Sequence, residues 1–207
     1  MKARVLLTAF DAFGDDKVNS AERAVSEADF SNESFEVFRL ILPTVFEKSA
    51  KILIDAIEKI KPSSVICIGQ AGGRAYVTPE RIAINVDDAR IADNDGNIPV
   101  DKPIAEQGPA AYFSTLPIKS IIEELNKNEI PASVSNTAGT FVCNHIFYSL
   151  MHYSSQKAPW LLGGFIHVPY LPEQAMEKNL PSLSLEMIKK AVEIAARETV
   201  KATPVPL

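Results

Sequence analysis

Residues 35–69 read FEVFRLILPTVFEKSAKILIDAIEKIKPSSVICIG, and this stretch decides the architecture. Its first part, 35–42, alternates partly between apolar and polar residues and ends at Pro43, as a strand does. Thr44-Val-Phe-Glu47 has the spacing of a capping box, in which the Thr oxygen takes the N3 amide while the Glu reaches back. The helix it opens carries Phe46, Ala50, Leu53, Ile57 and Ile60, an apolar stripe at helical spacing. Pro62 separates that helix from 65–69, VICIG, an unbroken apolar run of the kind buried on both faces in a parallel sheet. Strand, helix and strand follow one another with no linker.

The alternation continues in both directions. Residues 3–9, ARVLLTA, form another buried strand, and after a polar loop 20–28 form a short helix with Asn19 as N-cap. Residues 81–87, RIAINVD, alternate like a half-buried strand. From 90 to 109 the pattern dissolves into Asp, Asn, Gly and Pro, which reads as a long functional loop or lid. Beyond it come an amphipathic helix at 117–128, a strand at 132–138, a helix at 143–153, a strand at 162–168 and a closing helix at 187–200. There is no internal repeat. The sequence predicts a single α/β domain over 1–207, a mostly parallel twisted sheet between helical layers, with chemistry at the carboxyl ends of the strands.

Composition excludes several classes. The 207 residues are 46% apolar and 23% charged, which rules out a disordered or fibrous chain. Lys and Arg total 21 against 26 Asp and Glu, a net charge of -5 with no basic run, so nucleic acid is not an expected partner. The apolar run at 5–10 is interrupted by Thr8 and closed by Asp11. A secretory core needs about 7–15 apolar residues and a membrane span about 20, so no membrane partner is expected. Two cysteines, Cys67 and Cys143, are too few for a disulfide framework or a thiolate metal site. A reducing, cytoplasmic setting is the expectation, with each thiol free to be inert core or nucleophile.

Three strand-end loops hold the unusual residues. In Ser135-Asn-Thr-Ala-Gly-Thr-Phe-Val-Cys143-Asn144-His145, Gly139 allows a tight turn and Cys143 falls at the start of a helix. The helix dipole and free amides there favour a thiolate and can hold an oxyanion, although a small buried thiol packing a helix start fits the position as well. Cys67, mid-strand among Val65, Ile66 and Ile68, reads as core. Of the three histidines, His145 and His152 share a helix, and His145 sits two residues past Cys143, facing elsewhere. His167 ends the strand before Pro169, where a neighbouring strand-end loop places Cys143, and it is the candidate base. A carboxylate should hold its tautomer. Glu80, Asp87, Asp88 and Asp93 are all candidates, and the physics of the sequence does not choose among them.

The loop Gly69-Gln-Ala-Gly-Gly-Arg74 lacks both the P-loop and the dinucleotide spacing, so it is a weak phosphate signal. It also suits close backbone approach to a small ligand, with Gln70 offering an amide. Phe10 and Phe13 are spaced to flank a flat, neutral group, or to pack in the core.

The stretches PERIAINVDDARIADNDG (79–96), AYFSTLPIK (111–119) and GFIHVPYLPEQ (164–174), with 8–14, 68–74 and 135–144, resemble the pyroglutamyl-peptidase I (pyrrolidone-carboxylate peptidase) family over nearly the whole chain. The resemblance implies a cysteine peptidase that removes N-terminal pyroglutamate from peptides through an acyl-enzyme. It implies a Cys–His–Glu triad on Cys143, His167 and Glu80, and a pocket of Phe10, Phe13, Asn19, Gln70 and Phe141 with Arg90 close to the thiol. It further implies a three-layer open α/β/α sandwich, commonly a homotetramer, with no metal and no cofactor. The first loop departs from the family pattern Gly-Phe-x-Pro-Phe-Gly-Gly, reading Ala9-Phe10-Asp11-Ala12-Phe13-Gly14-Asp15, and the usual Asn-Pro turn is Asn19-Ser20.

A second class remains open from the residues alone. A non-catalytic module binding a flat ring would leave Cys143 structural, and a nucleoside-phosphorylase-like enzyme would hold phosphate in the loop at 69–74. Cleavage of a pyroglutamyl amide separates the peptidase from both.

Overall fold

The structure is a computed structural model that describes residues 2–14, 16–176 and 178–203. Asp15, one of the first-loop departures, lies outside them. The strands β1 (Arg4–Phe10), β2 (Glu36–Leu42) and β3 (Ser64–Gln70) are connected through α1 (Ser20–Glu27) and α2 (Phe46–Ile60), as the alternation predicts. After them come the short β4 (Thr78–Pro79), β5 (Ile82–Ile84) and β6 (Ala111–Phe113), then α3 (Ile118–Lys127) and α4 (Val142–Lys157). The chain closes through β7 (Leu162–Val168), the single turn α5 (Pro172–Ala175) and α6 (Leu185–Ala202).

The main sheet has the order β2-β1-β3-β7-β4. Its first four strands are parallel, and β4 is an antiparallel edge. Because successive strand residues face opposite sides, two apolar layers form. Val5, Leu7, Ile66, Ile68, Ile166 and Val168 face α1, α3 and α6. Leu6, Val65, Cys67 and Phe165 face α2 and α4. This is the expected three-layer sandwich. The buried stripe Phe46, Ala50, Leu53 and Ile57 holds α2 against the second layer.

Local readings differ from the structure at three places. Thr44 is not the cap of α2. Its hydroxyl and amide both bond the Asp11 carboxylate, at 2.8 and 2.7 Å, and the helix amide of Phe46 donates to Asp93 Oδ2 at 3.1 Å instead. Only 82–84 of the strand expected at 81–87 is regular, and it pairs with β6 in a separate two-stranded sheet. Residues 132–138 are not a strand. They run parallel to 77–81 through two isolated bridges, Val77 with Ala132 and Glu80 with Ser135. Val77 and Arg81 donate to Pro131 and Ser135, and Ser133 and Ser135 donate to Val77 and Pro79. Pro79, midway along this ladder, has no N–H to give.

Candidate active site

The carboxyl ends of β3 and β7 and the start of α4 meet at one edge of the sheet. Gly69 of β3 is the register partner of His167 of β7. Paired residues project to the same face, here the α2/α4 layer, so His167 points toward the helix that begins with Val142 and Cys143. Gly69 leaves the space. A Cβ on it would stand 2.5 Å from Phe165 Cζ and 3.2 Å from Cys143 Sγ. The thiol thus lies over Gly69, the residue paired in register with His167.

His167 is buried, and its Nδ1 donates to Glu80 Oε1 at 2.7 Å. A carboxylate only accepts, so the bond fixes the proton on Nδ1 and leaves the Nε2 lone pair as the basic site. The Glu80 amide bonds the Phe165 carbonyl at 2.8 Å, which ties this carboxylate to β7. Burial lowers the His167 pKa, so the imidazole is neutral. Burial alone would raise the Glu80 carboxyl, but His167 above all, with the Ser135 hydroxyl and Arg74, outweighs it and holds Glu80 below its ordinary value.

Cys143 departs from expectation. Burial pushes its thiol up to about 12, with the Glu80 charge adding and Arg74 opposing. Desolvation outweighs the helix dipole, so the resting sulfur keeps its proton. The helix start retains its other use. The first bond within α4 runs from the His145 amide to the Phe141 carbonyl, so the amides of Val142, Cys143 and Asn144 have no carbonyl partner inside the helix. Gly139, at φ 80°, makes the left-handed turn that leads into this segment.

The segment before the proposed lid is fastened to this helix. Asn144 exchanges hydrogen bonds with the Ile84 backbone and donates to Val86 O. His145 Nδ1 lies 2.7 Å from Asp87 Oδ2, and Thr140 Oγ1 donates to Asp88 O at 2.7 Å. The acidic candidates therefore separate by place: Glu80 holds His167, Asp87 holds His145, and Asp93 caps α2.

The expected pocket residues divide as well. Phe13 and Phe141 pack with ring centroids 5.2 Å apart, and Phe141 also meets Phe46 edge-on at 5.2 Å. Phe10 is buried in the core layer. Asn19 caps α1 as predicted, accepting from Ala21 N and Glu22 N and donating to Asp11 O. The Gln70 side chain is likewise engaged, accepting from Ser20 N and Gln174 Nε2 and donating to Asp16. This explains Ser20, where a proline would have no N–H for Gln70; its hydroxyl also donates to Pro169 O at 2.7 Å. Arg90 is exposed, and among the described residues no hydrogen bond or ion pair ties it to Cys143. Arg74, which sequence reasoning did not assign to the site, bonds Glu80; only its place at the end of the Gly-rich loop pointed to it. Arg74 is engaged with Glu80, and a Cβ on Gly72 would meet the Tyr170 ring at 2.4 Å.

A thiol, an imidazole and a buried carboxylate drawn to one sheet edge place the molecule among the cysteine peptidases built on an open α/β sheet. A family model described as pyroglutamyl peptidase matches residues 3–202, and the chain belongs to that family. The pyrrolidone-carboxylate peptidase of Bacillus licheniformis is 57% identical over 197 residues, covering 95% of this chain and 92% of that protein. The crystal structure of Bacillus amyloliquefaciens pyroglutamyl peptidase I superposes with a TM-score of 0.93 at 50% identity, covering 97% of this chain and 98% of the other. A variant pyrrolidone carboxyl peptidase from the hyperthermophile Pyrococcus furiosus gives 0.93 at 42% identity, covering 97% and 100%.

The close approach at Gly69 gives a direct check on the thiol's placement. Gly69→Ala is expected to push Sγ aside, lowering kcat about 100-fold and costing about 1–3 kcal/mol of stability. A folded alanine variant with wild-type kcat would contradict the packing of Cys143 over this strand.

Proposed function

We propose that this chain, as one domain over 1–207, removes N-terminal pyroglutamate from peptides, with Cys143 as nucleophile, His167 as general acid–base and Glu80 as its orienting carboxylate. The observation that carries the reading is the His167–Glu80 bond at 2.7 Å on the register partner of the glycine over which Cys143 lies. The names of its relatives, pyroglutamyl and pyrrolidone-carboxylate peptidases, supply the substrate.

The mechanism follows from the protonation states. As the Cys143 sulfur attacks the pyroglutamyl carbonyl, its proton passes to His167 Nε2, and Glu80 stabilises the imidazolium that forms. The unpaired amides at the start of α4 stabilise the oxyanion. His167 then protonates the departing amine, and water, deprotonated by the same nitrogen, releases pyroglutamate from the thioester. Burial pushes the thiol up to about 12, so the sulfur depends on His167 to take its proton.

Phe10, Phe13 and Phe141 form the apolar wall of the pocket. Asn19 and Gln70 act as braces of the first loop, their side chains committed to it, and Arg90 stands at the exposed rim. The pyroglutamyl ring is flat and uncharged because its amine is closed into a lactam. A free α-ammonium would lose its hydration against these rings. The chain should therefore hydrolyse a chromogenic pyroglutamyl amide at least about 100-fold faster, by kcat/KM, than the prolyl amide of the same leaving group. Equal rates would remove the specificity, and no turnover of either would remove the function.

We place this activity in the cytoplasm, in a homotetramer. Two free thiols, one of them the nucleophile, suit a reducing compartment. Exposed Phe113 and Trp160, each 66% accessible, offer apolar surface to a second copy.

A further inference from the structure

We propose that Arg74 is a positioning residue of this site: its guanidinium shares one oxygen of Glu80 with His167 and so sets the proton affinity of the carboxylate–imidazole pair. The inference rests on the triad reading above and goes beyond it, since it concerns a residue outside the triad. Arg74 Nη1 donates to Glu80 Oε1 at 2.6 Å, the same oxygen that accepts from His167 Nδ1. The other Glu80 oxygen is buried and without a partner among the described residues. Nη1 also reaches Thr78 Oγ1 at 2.6 Å, and Nη2 donates to the Thr137 carbonyl at 3.1 Å. One side chain thus joins the β4 edge, the carboxylate and the loop that leads to Cys143.

The placement has two electrostatic consequences. Glu80 has no exposed surface, and a carboxylate there requires a cation. Arg74 is permanently charged and, with about 29% of its side chain accessible, stays partly solvated. It also draws charge from the oxygen that faces the imidazole, which disfavours imidazolium in the resting enzyme. Arg74 from the loop after β3 and Ser135 from the segment before α4 act on Glu80, the Cys143 thiol of α4 lies within reach of its charge, and Cys67 of β3 lies next to Cys143. Burial pushes both thiols up to about 12, so neither carries charge across the working range. Arg74 is the one cation of the set. Removing it makes the first protonation of the pair easier, whichever member takes the proton.

The test is a pH titration of the His167 imidazole by NMR together with the pH profile of kcat/KM on a pyroglutamyl amide, for wild type, Arg74→Met, Arg74→Gln and Arg74→Lys. Methionine and glutamine are expected to move the imidazole titration and the acid limb of the profile upward together by about 1 pH unit. Glutamine retains a hydrogen-bond donor and serves if methionine does not fold. Lysine, which keeps the charge without the fork, should return both midpoints to wild type while kcat stays lowered. A loss of kcat/KM equal at every pH, with an unmoved titration, would assign Arg74 a purely structural role and overturn the proposal. So would a lysine variant whose midpoints match those of methionine. The NMR arm is independent of turnover, so an inactive wild type would refute the peptidase reading without deciding the role of Arg74.

Discussion

Cys143→Ala is expected to abolish release of a chromophore from a pyroglutamyl amide, a fall of roughly a million-fold to the floor of the assay, while Cys67→Ala turns over normally. Thiol acidity does not separate the two residues, because burial pushes both up to about 12. Their neighbours do. Cys67 lies in the middle of β3, fully buried, paired in register with Phe165 and packed under α2 and α4. Its loss should cost about 1 kcal/mol of stability and leave kcat and KM unchanged. Cys143 is only part-buried, at the start of α4 and over Gly69, the register partner of His167. The unpaired amides belong to its own helix. Steady-state kinetics of the two variants, with melting temperatures to confirm folding, decides the matter. Equal activity would take Cys143 out of the mechanism.

What was legible in the sequence follows from the range of the interactions involved. The β1–α1, β2–α2–β3 and α4–β7 units rest on apolar runs and helical stripes contained within each segment, and they appear with ends shifted by at most four residues. The readings that failed depend on partners far along the chain. Thr44 and Glu47 have the spacing of a capping box, yet Asp11 takes the Thr44 hydroxyl and Asp93, 47 residues from Phe46, takes the helix amide. No local pattern encodes that competition. The segment 132–138 is apolar enough for a strand, but whether it joins a continuous ladder depends on Pro79 opposite it. The site shows the same division. A cysteine after a glycine turn and a histidine at a strand end are local signals, and the fold brings both to the same end of the sheet. Choosing Glu80 over Asp87 and Asp93 required the β4–β7 pairing, and the contacts of Arg74 with Glu80 and Thr137 required the fold.

That choice yields the second large effect. Glu80→Gln is expected to lower kcat roughly 1,000- to 10,000-fold with little change in KM. The replacement is nearly isosteric. The glutamine oxygen can still accept from His167 Nδ1 and Arg74 Nη1, so the tautomer is retained and the substrate pocket is untouched. What disappears is the negative charge that stabilises the imidazolium as the Cys143 proton arrives. The new amide also occupies the position of an oxygen that has no partner among the described residues, and Arg74 loses its counter-ion. Stability should therefore fall by about 1–3 kcal/mol, which a melting curve separates from the kinetic effect. Asp93→Asn is the control. Asp93 accepts from Phe46 N and from both the backbone and side chain of Asn97, contacts that fix the start of α2 and its own loop. Its loss should cost about 1 kcal/mol and leave kcat at the wild-type value. If Asp93→Asn instead lost kcat on the scale of Glu80→Gln while keeping its melting temperature, the carboxylate serving His167 in the reaction would not be the one 2.7 Å from it at rest. A second arrangement of the loop at 90–109 would then have to bring Asp93 to the imidazole.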